Sequence, residues 1–541
     1  MLQTLTVSCR GGLDLSSNVQ ELLGRPGEAI QLKNYECSKE GGYRRLSGHE
    51  VYGVSVPGSG RIKGVHVLTN QGLLVARDSS LYHTLDGSYW VKVNKVSDDV
   101  NEATLDALPE TQRLLSDFYT FTEYKFLDET HVFITDAIGN PMFLRIKGND
   151  RATATYTYRD ITLGSDLQGV QQCEIFKDQL FLVGMPGNPS TMYYSSLATT
   201  DIYAADGNIT PREKFDGATS GFLGVSEDII GIKAFRETLY IFCANSIWKA
   251  QGMDTGSPQV VPVTRDIGCV DLHTIQEIGG DLLFLAPDGI RTIAGTERIG
   301  DIELGIISRK IQPMLDRVLK NPTDYQFRSV VLKAKNQYRL TWSNPSEVNV
   351  NKQQGIIAAY VFDPSNGQAQ WSFSETNGIE VSEIAQGDYD NLEGLFHGDF
   401  SGVFHQDERG STYSGRTISH VFQSPFIDFG NIGQRKTMHK VFLTMKPEGD
   451  VNLGMEVRYD YQSSDAFQPP TFILDQITGP SLYGAGIYGQ SKYGARDLPN
   501  REVHVEGSGK TVSIRIVDRE MVDAPFDIQS LVYEIAPNGS I

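Results

Sequence analysis

A chain of 541 residues exceeds what one ordinary core holds, so two or three domains, or one large repeat domain with appendages, are expected. An apolar content of 40% and an aromatic content of 10% describe a folded globular protein. With 48 Lys and Arg against 67 Asp and Glu the net charge is −19, which argues against tight binding to DNA or anionic lipid, because neutralising phosphate takes clustered cations; solubility is the simplest reason for such a surplus.

Residues 1–60 read as an N-terminal arm. Short β-type stretches (5–7 and 29–37) are separated by Gly11-Gly12, by G-R-P-G at 24–27 and by Gly41-Gly42. The arm's charges balance, with Arg10, Arg25, Lys33, Lys39, Arg44 and Arg45 set against Asp14, Glu21, Glu28, Glu36, Glu40 and Glu50. A neutral, glycine-punctuated arm is suited to lying on another surface.

From residue 61 to 412 short apolar strands recur in sets. The clearest are the two units between 228 and 293, each with an apolar strand (229–235, 272–278), a second strand (239–243, 282–286), a tight turn and a third strand (247–250, 290–293). The second strands are continuous apolar runs bounded by turn formers, the pattern of strands buried on both faces. Similar sets lie at 62–93, 118–158, 170–204, 327–373 and 379–405, with second strands starting about 43 to 60 residues apart. Hairpin-linked sets of this kind predict a β-propeller of six or seven blades, an ordinary β-sandwich being the alternative. A strand from one end of the chain is expected to close the ring. Between the sets, 96–117 is acidic and reads as a loop with a short helix, and 306–319 has helical spacing with Ser308 as its N-cap. From 413 to 541 strands near 440–445, 451–461, 503–505, 511–517 and 528–535 predict a C-terminal antiparallel β-sandwich-like domain.

The five cysteines (Cys9, Cys37, Cys173, Cys243, Cys269) are odd in number and lack metal-site spacing, which points to synthesis in a reducing cytoplasm. The opening MLQTLTVSCR lacks the charge and apolar length of a signal peptide, and no stretch reaches the ~18 apolar residues of a membrane helix. Gly484 to Gly489 matches G-x-G-x-x-G, but no strand precedes it and no helix follows, so it is no dinucleotide site. It belongs instead to a Tyr-Gly tract with tyrosines at Tyr483, Tyr488 and Tyr493, amphipathic side chains on glycine turns that make a candidate docking loop. Gly507-Ser508-Gly509-Lys510-Thr511 ends like a phosphate loop, yet the next residues are strand-like rather than helical, so a hairpin turn is expected there. His397 and His405 flank Asp399 and meet across a hairpin if the strands pair; a metal site is one reading of them, and ordinary surface histidines are the expectation. No catalytic, cofactor-binding or metal-binding residue is singled out, and no enzymatic activity is expected. Carboxylates are too numerous for sequence alone to choose a glycosidase-like pair.

Several phrases together resemble the tail nozzle proteins of short-tailed bacteriophages (podoviruses), the group that includes the packaged-DNA stabilisation proteins. They are GGLDL at 11–15, LKNYECSKEGGYRRLSG at 32–48, IGIKAFRETLYIFCANSIWKAQG at 230–252, ISRKI at 307–311, YVFD at 360–363 with QWS at 370–372, and the Tyr-Gly tract. The resemblance spans nearly the whole chain. It implies a structural virion protein, a propeller protomer that assembles as a homo-oligomer, most naturally a hexamer, below the portal and adaptor. That ring would extend the DNA channel, contact fibres or a needle or plug, support genome retention and ejection, and be built in the host cytoplasm. Genomic DNA would pass through it without sequence-specific binding, and an acidic wall would let phosphate slide. The alternative is a glycan-binding or glycan-cleaving propeller of a tail, a lectin or depolymerase. Trp248, Trp342 and Trp371 lie in predicted strands, which favours core packing over a sugar platform. A cellular scaffold propeller is a third option, and the absence of W-D and kelch signatures counts against it.

Overall fold

The structure is a computed structural model that describes residues 2–39, 41–69, 71–78, 80–95, 118–126, 129–139, 141–147, 155–160, 168–195, 220–252, 258–294, 305–345, 354–363, 368–478, 500–518 and 524–538. It is an all-β protein containing a β-propeller. The described α-helices, Val19–Leu23 and Gln312–Leu319, are short.

Five sheets stand alone as blades, where six or seven were expected. Their first strands are Ile62–Leu68, Thr120–Phe126, Gln172–Phe176, Ile229–Phe235 and Gln276–Ile278, and each runs antiparallel to the strand after it. The second strands, among them Gln179–Val183, Thr238–Cys243 and Asp281–Ala286, are buried almost throughout. That burial is why they read as unbroken apolar runs: a neighbouring blade covers each face. Two-residue turns with positive φ at both positions, Lys177-Asp178, Gly279-Gly280 and Asp390-Asn391, join first to second strands, with the twist that hairpins prefer.

The stretches expected to be the sixth and seventh blades also fold as strands, but their hydrogen bonding continues beyond the unit. Gln326–Leu332, Gln337–Ser343, Gln354–Asp363 and Gln368–Asn377 open a nine-stranded sheet. It runs on through Gln31–Lys33 of the arm to Val421–Gln423, Val512–Asp518, Asp450–Tyr459 and Phe472–Thr478. Glu383–Tyr389, Leu392–Gly398 and Phe404–Asp407 open a six-stranded sheet continued by His49–Val51, Thr412–Tyr413 and Arg416–Thr417.

Three local expectations change. Leu272–Thr274 is a 3-10 turn, with the Asp271 carboxylate accepting from the His273 N–H at 2.8 Å, so the fifth blade's first strand is shorter than expected. The third blade's outer strand is Gly221–Gly224; the predicted strand at 202–204 lies outside the described residues, as does the acidic segment 96–117. The predicted helix begins as a 3-10 turn, Arg309–Ile311, and Ser308 does not cap it: its hydroxyl accepts the Ile290 N–H at 2.9 Å and ties the helix to the fifth blade.

The arm is woven into the chain's own sheets. Gln3–Ser8 pairs along Phe526–Pro537, and the hairpin Tyr35–Cys37 and Tyr43–Arg45 extends the same sheet, which also holds Lys436–Pro447 and Asn500–His504. His49–Val51 pairs with Phe404–Asp407 and is the strand supplied from the far end of the chain. One core joins these parts: Leu32, Tyr35 and Tyr43 from the arm, Leu315 from the helix, Trp342 and Phe373 from the long sheet, and Met455, Ile516 and Tyr533 from the C-terminal strands. All five cysteines are free and buried. The Gly507–Thr511 segment is not a hairpin turn. It carries the chain from one C-terminal sheet to the other, and the Lys510 and Thr511 N–H groups donate to Asp460 at 2.7 and 2.9 Å.

The arm is also held electrostatically. Buried Glu36 meets Lys335 at 2.7 Å and Arg339 at 3.0 Å, and Glu408 meets the same two cations at 2.6 Å each. Burial alone would raise the Glu408 carboxyl, but Arg339 and Lys335 outweigh it and hold it down at about 2. A carboxyl depressed in the folded state contributes stability above its unfolded value near 4.5, and that contribution fades as pH falls towards 2. The unfolding temperature of the wild type should therefore drop over that window, and Glu408→Gln should flatten the drop; identical profiles would rule out this network as the source. Tyr35 is fully buried, with its ring edge-on to His420 and Phe526 at 5.6 and 6.1 Å. Tyr35→Ala should cost about 3–5 kcal/mol in urea denaturation, whereas Tyr360→Ala, at an exposed site, should stay within about 0.5 kcal/mol. Equal costs would mean the arm is not part of the core.

Candidate functional site

The first strands converge on the propeller axis around a polar pocket of about 280 Å³. Its wall takes residues from the five blades and from both composite sheets, including His66, Thr122, Glu174, Lys233, Arg328 and Glu383. First strands of neighbouring blades are not paired through their backbones, so side chains bridge them. Gln172 both donates to the Ile232 carbonyl and accepts the Ile232 N–H, each at 2.8 Å. Thr122 donates to the Cys173 carbonyl at 2.6 Å, and Gln276 to the Ser329 carbonyl at 3.2 Å.

Three carboxylates belong to this ring of bridges, and each has a cationic or imidazole neighbour. Glu174 meets Lys233 at 3.0 Å and accepts the Ala234 N–H at 3.2 Å. Its charge holds the Lys233 ammonium above the ordinary lysine value, against the effect of burial. Glu123, beside the pocket, lies 3.2 Å from His66 and accepts the Thr69 N–H at 3.3 Å. Burial would raise its carboxyl, but these two partners bring it below the usual range. Glu383 takes both arms of the Arg328 guanidinium and is buried with it. Full burial pushes the Glu383 carboxyl up, with Arg328 pulling the other way. The pocket thus offers hydroxyl, amide and charged groups that can bind a hydroxyl-rich or charged ligand. In this conformation its carboxylates are engaged in joining one blade to the next.

A second cluster lies at the closing strand. His397 and His405 are register partners across the hairpin, and His49 joins them from the arm. All three are buried, not the surface histidines expected, and their ring centroids stand 4.6 to 4.7 Å apart. Burial, then the neighbouring His397 and His405, pull the His49 imidazole down to about 2. The repeated H-x-D spacing, His397-Gly398-Asp399 and His405-Gln406-Asp407, is the signal in the sequence that points to this face; His49 carries no such signal.

Tyr483, Tyr488 and Tyr493, the expected docking residues, lie outside the described residues. Among the tryptophans expected in the core, Trp342 is buried, whereas Trp248 and Trp371 are half-buried. Trp371 pairs across strands with exposed Tyr360, ring centroids 5.1 Å apart. Among the described residues no helix is long and apolar enough to cross a membrane.

No family model and no curated protein matches the chain. Solved structures with a similar arrangement include an exo-β-1,3-galactanase from Phanerochaete chrysosporium with galactose, at 10% identity and TM-score 0.23, covering 91% of this chain and 100% of that one. Another is a glycoside hydrolase family 43 arabinoxylan arabinofuranohydrolase from Bacillus subtilis, at 10% identity and TM-score 0.26, covering 90% and 96%. A third is BBS1N in complex with ARL6DN, at 9% identity and TM-score 0.24, covering 62% and 73%. Two of these three are glycan-cleaving enzymes, and the expectation that this chain is not an enzyme is withdrawn on that finding. TM-scores this low do not assign their activity to it.

The Arg328–Glu383 pair makes the axial site testable. Arg328→Ala strands a buried carboxylate and should cost about 3–5 kcal/mol in urea denaturation, while Arg328→Met with Glu383→Leu should recover much of that loss. A cost for Arg328→Ala no larger than the ~1 kcal/mol of an exposed pair would show that the axis is open to water.

Proposed function

We propose that the chain is a structural protein of a short phage tail, a nozzle protomer whose copies form a ring that continues the DNA channel below the portal and adaptor. The observation that carries this reading is the weaving of the arm through the seven-, nine- and six-stranded sheets. A propeller and a β-domain joined by one linker would swing against each other, whereas shared strands and a shared core make one stiff block. A channel wall needs that stiffness. The phrases at 11–15 and 32–48 that carry the resemblance fall in these joints, where Leu13, Tyr35, Tyr43 and Arg45 are buried.

The axial pocket of about 280 Å³ has no room for a duplex and is crossed by bridging side chains. DNA would therefore run along the axis of the assembled ring, most naturally a homohexamer, and not through the propeller. With a net charge of −19 the wall repels phosphate and lets the genome slide without sequence-specific contact. The partners on this reading are the adaptor and a fibre or needle or plug protein, and the location is the virion tail after assembly in the host cytoplasm.

A second reading, a glycan-binding or glycan-cleaving propeller of a tail, draws on the axial pocket with Glu174 and Glu383 in its wall and Glu123 beside it.

Electron-microscope imaging of the purified chain, alone and with the virion proteins produced with it, separates the two. Rings with an axial hole wide enough for duplex DNA are expected in the presence of the adaptor. Particles that stay monomeric with every partner present would overturn the nozzle reading. Release of sugars from bacterial surface polysaccharide, lost in Glu383→Gln, would establish the second.

A further inference from the structure

We propose that His49, His397 and His405 form a binding site for one divalent transition-metal ion, zinc being the best match. The site would clasp the N-terminal arm to the last sheet of the propeller. Antiparallel pairing sets His397 opposite His405 and Asp407 opposite His49. Because side chains alternate along a strand, all three imidazoles, with Asp399 and Asp407, project from one face. One ring nitrogen of each histidine lies within 4.8 Å of the others. Zinc–nitrogen bonds of about 2.0–2.1 Å at tetrahedral angles set ligand nitrogens about 3.4 Å apart, so small ring rotations bring the three into range.

The surroundings are those of a ligand set. His397 Nδ1 is 2.6 Å from Asp407 Oδ2, and His405 Nδ1 is 3.0 Å from the Ser414 hydroxyl. A carboxylate on one ring nitrogen fixes the tautomer and leaves the other nitrogen's lone pair facing the metal. His397 Nε2 is buried without a hydrogen-bond partner, and so is His49 Nδ1, which lies 3.9 Å from Asp407 Oδ1, beyond hydrogen-bond reach. A buried nitrogen left bare costs free energy, and two of them in one three-imidazole cluster are accounted for by a cation. Both nitrogens of His405 have partners, Ser414 on Nδ1 and Asp399 3.3 Å from Nε2, so His405 reaches the ion by giving up the longer of these contacts, which leaves Asp399 placed to supply a fourth oxygen. Three nitrogens and carboxylate oxygen, with no thiolate nearby, suit zinc and its first-row neighbours better than calcium or magnesium.

His49 comes from the arm and the other two from the propeller, so the ion would link segments about 350 residues apart in sequence. The test uses the full chain, stripped with a chelator and then titrated with Zn²⁺ or Co²⁺. Expected are one ion bound per chain, the visible absorption of four- or five-coordinate Co²⁺, and a higher unfolding temperature with Zn²⁺. His397→Gln and His405→Gln should abolish binding, and Asp407→Asn should weaken it about 10–100-fold. His504→Ala, at an exposed histidine, should leave it unchanged. The wild-type titration needs no variant to fold. A stripped chain that binds no ion, or one whose binding survives loss of His397 and His405, would overturn the proposal.

Discussion

The joint between the propeller and the C-terminal region depends on three residues of backbone pairing at Gln31–Lys33. On one side this strand abuts Gln368–Asn377, with Lys33 opposite Glu375; on the other it runs antiparallel to Val421–Gln423. Removed, it would leave two sheet edges facing each other across a gap, each with unpaired N–H and C=O groups. With it, strands of the propeller and of the C-terminal region belong to one nine-stranded sheet. Side chains reinforce the joint. The Asn34 side chain accepts the Asn377 N–H at 2.8 Å and donates to the Ser419 carbonyl at 2.9 Å, so one residue in the left-handed region ties both flanks. Asn is among the few residues besides glycine that adopt that conformation.

The parts of the fold legible in the sequence are those with a local cause. Thr238–Cys243 and Asp281–Ala286 are apolar because blades cover both faces, and that pattern needs no knowledge of distant residues. The arm's pairings have no such signature. Tyr43–Arg45 and His49–Val51 are three residues long, too short for periodicity, and each pairs with a strand several hundred residues away, Phe526–Pro537 and Phe404–Asp407. The blade count failed for the same reason: counting strands assumes that each sheet ends with its unit, and nothing local marks a sheet that continues into the arm. At the candidate sites the axial glutamines and carboxylates read as ordinary polar positions of a half-buried strand. Their role as bridges appears only when neighbouring first strands are brought side by side. His397 and His405 were visible as a near pair, but the third imidazole comes from the arm.

The charge distribution follows the same logic. Glu36, Lys335, Arg339 and Glu408 meet where the arm hairpin crosses the long sheet, Arg328 and Glu383 where the two composite sheets approach, and Glu174 and Lys233 between two blades. Each group lies at a seam where backbone hydrogen bonding is short or missing. Buried ion pairs add little net stability compared with apolar packing, but a displaced partner leaves a buried charge exposed to that penalty.

The order in which such a molecule comes together follows from its connectivity. The bridges on the propeller axis join residues about 50 to 60 apart, such as Gln172 with Ile232 and Gln276 with Ser329. The arm pairs Gln3–Ser8 with Phe526–Pro537, the last described strand of the chain. Loop-closure entropy favours the near contacts, and Phe526–Pro537 is synthesised long after its partner Gln3–Ser8. The blades therefore form while the arm waits, and the arm enters when the C-terminal strands exist to receive it. Gln3–Ser8 can settle only once Phe526–Pro537 has been made, so the sheet that joins them closes after the blades.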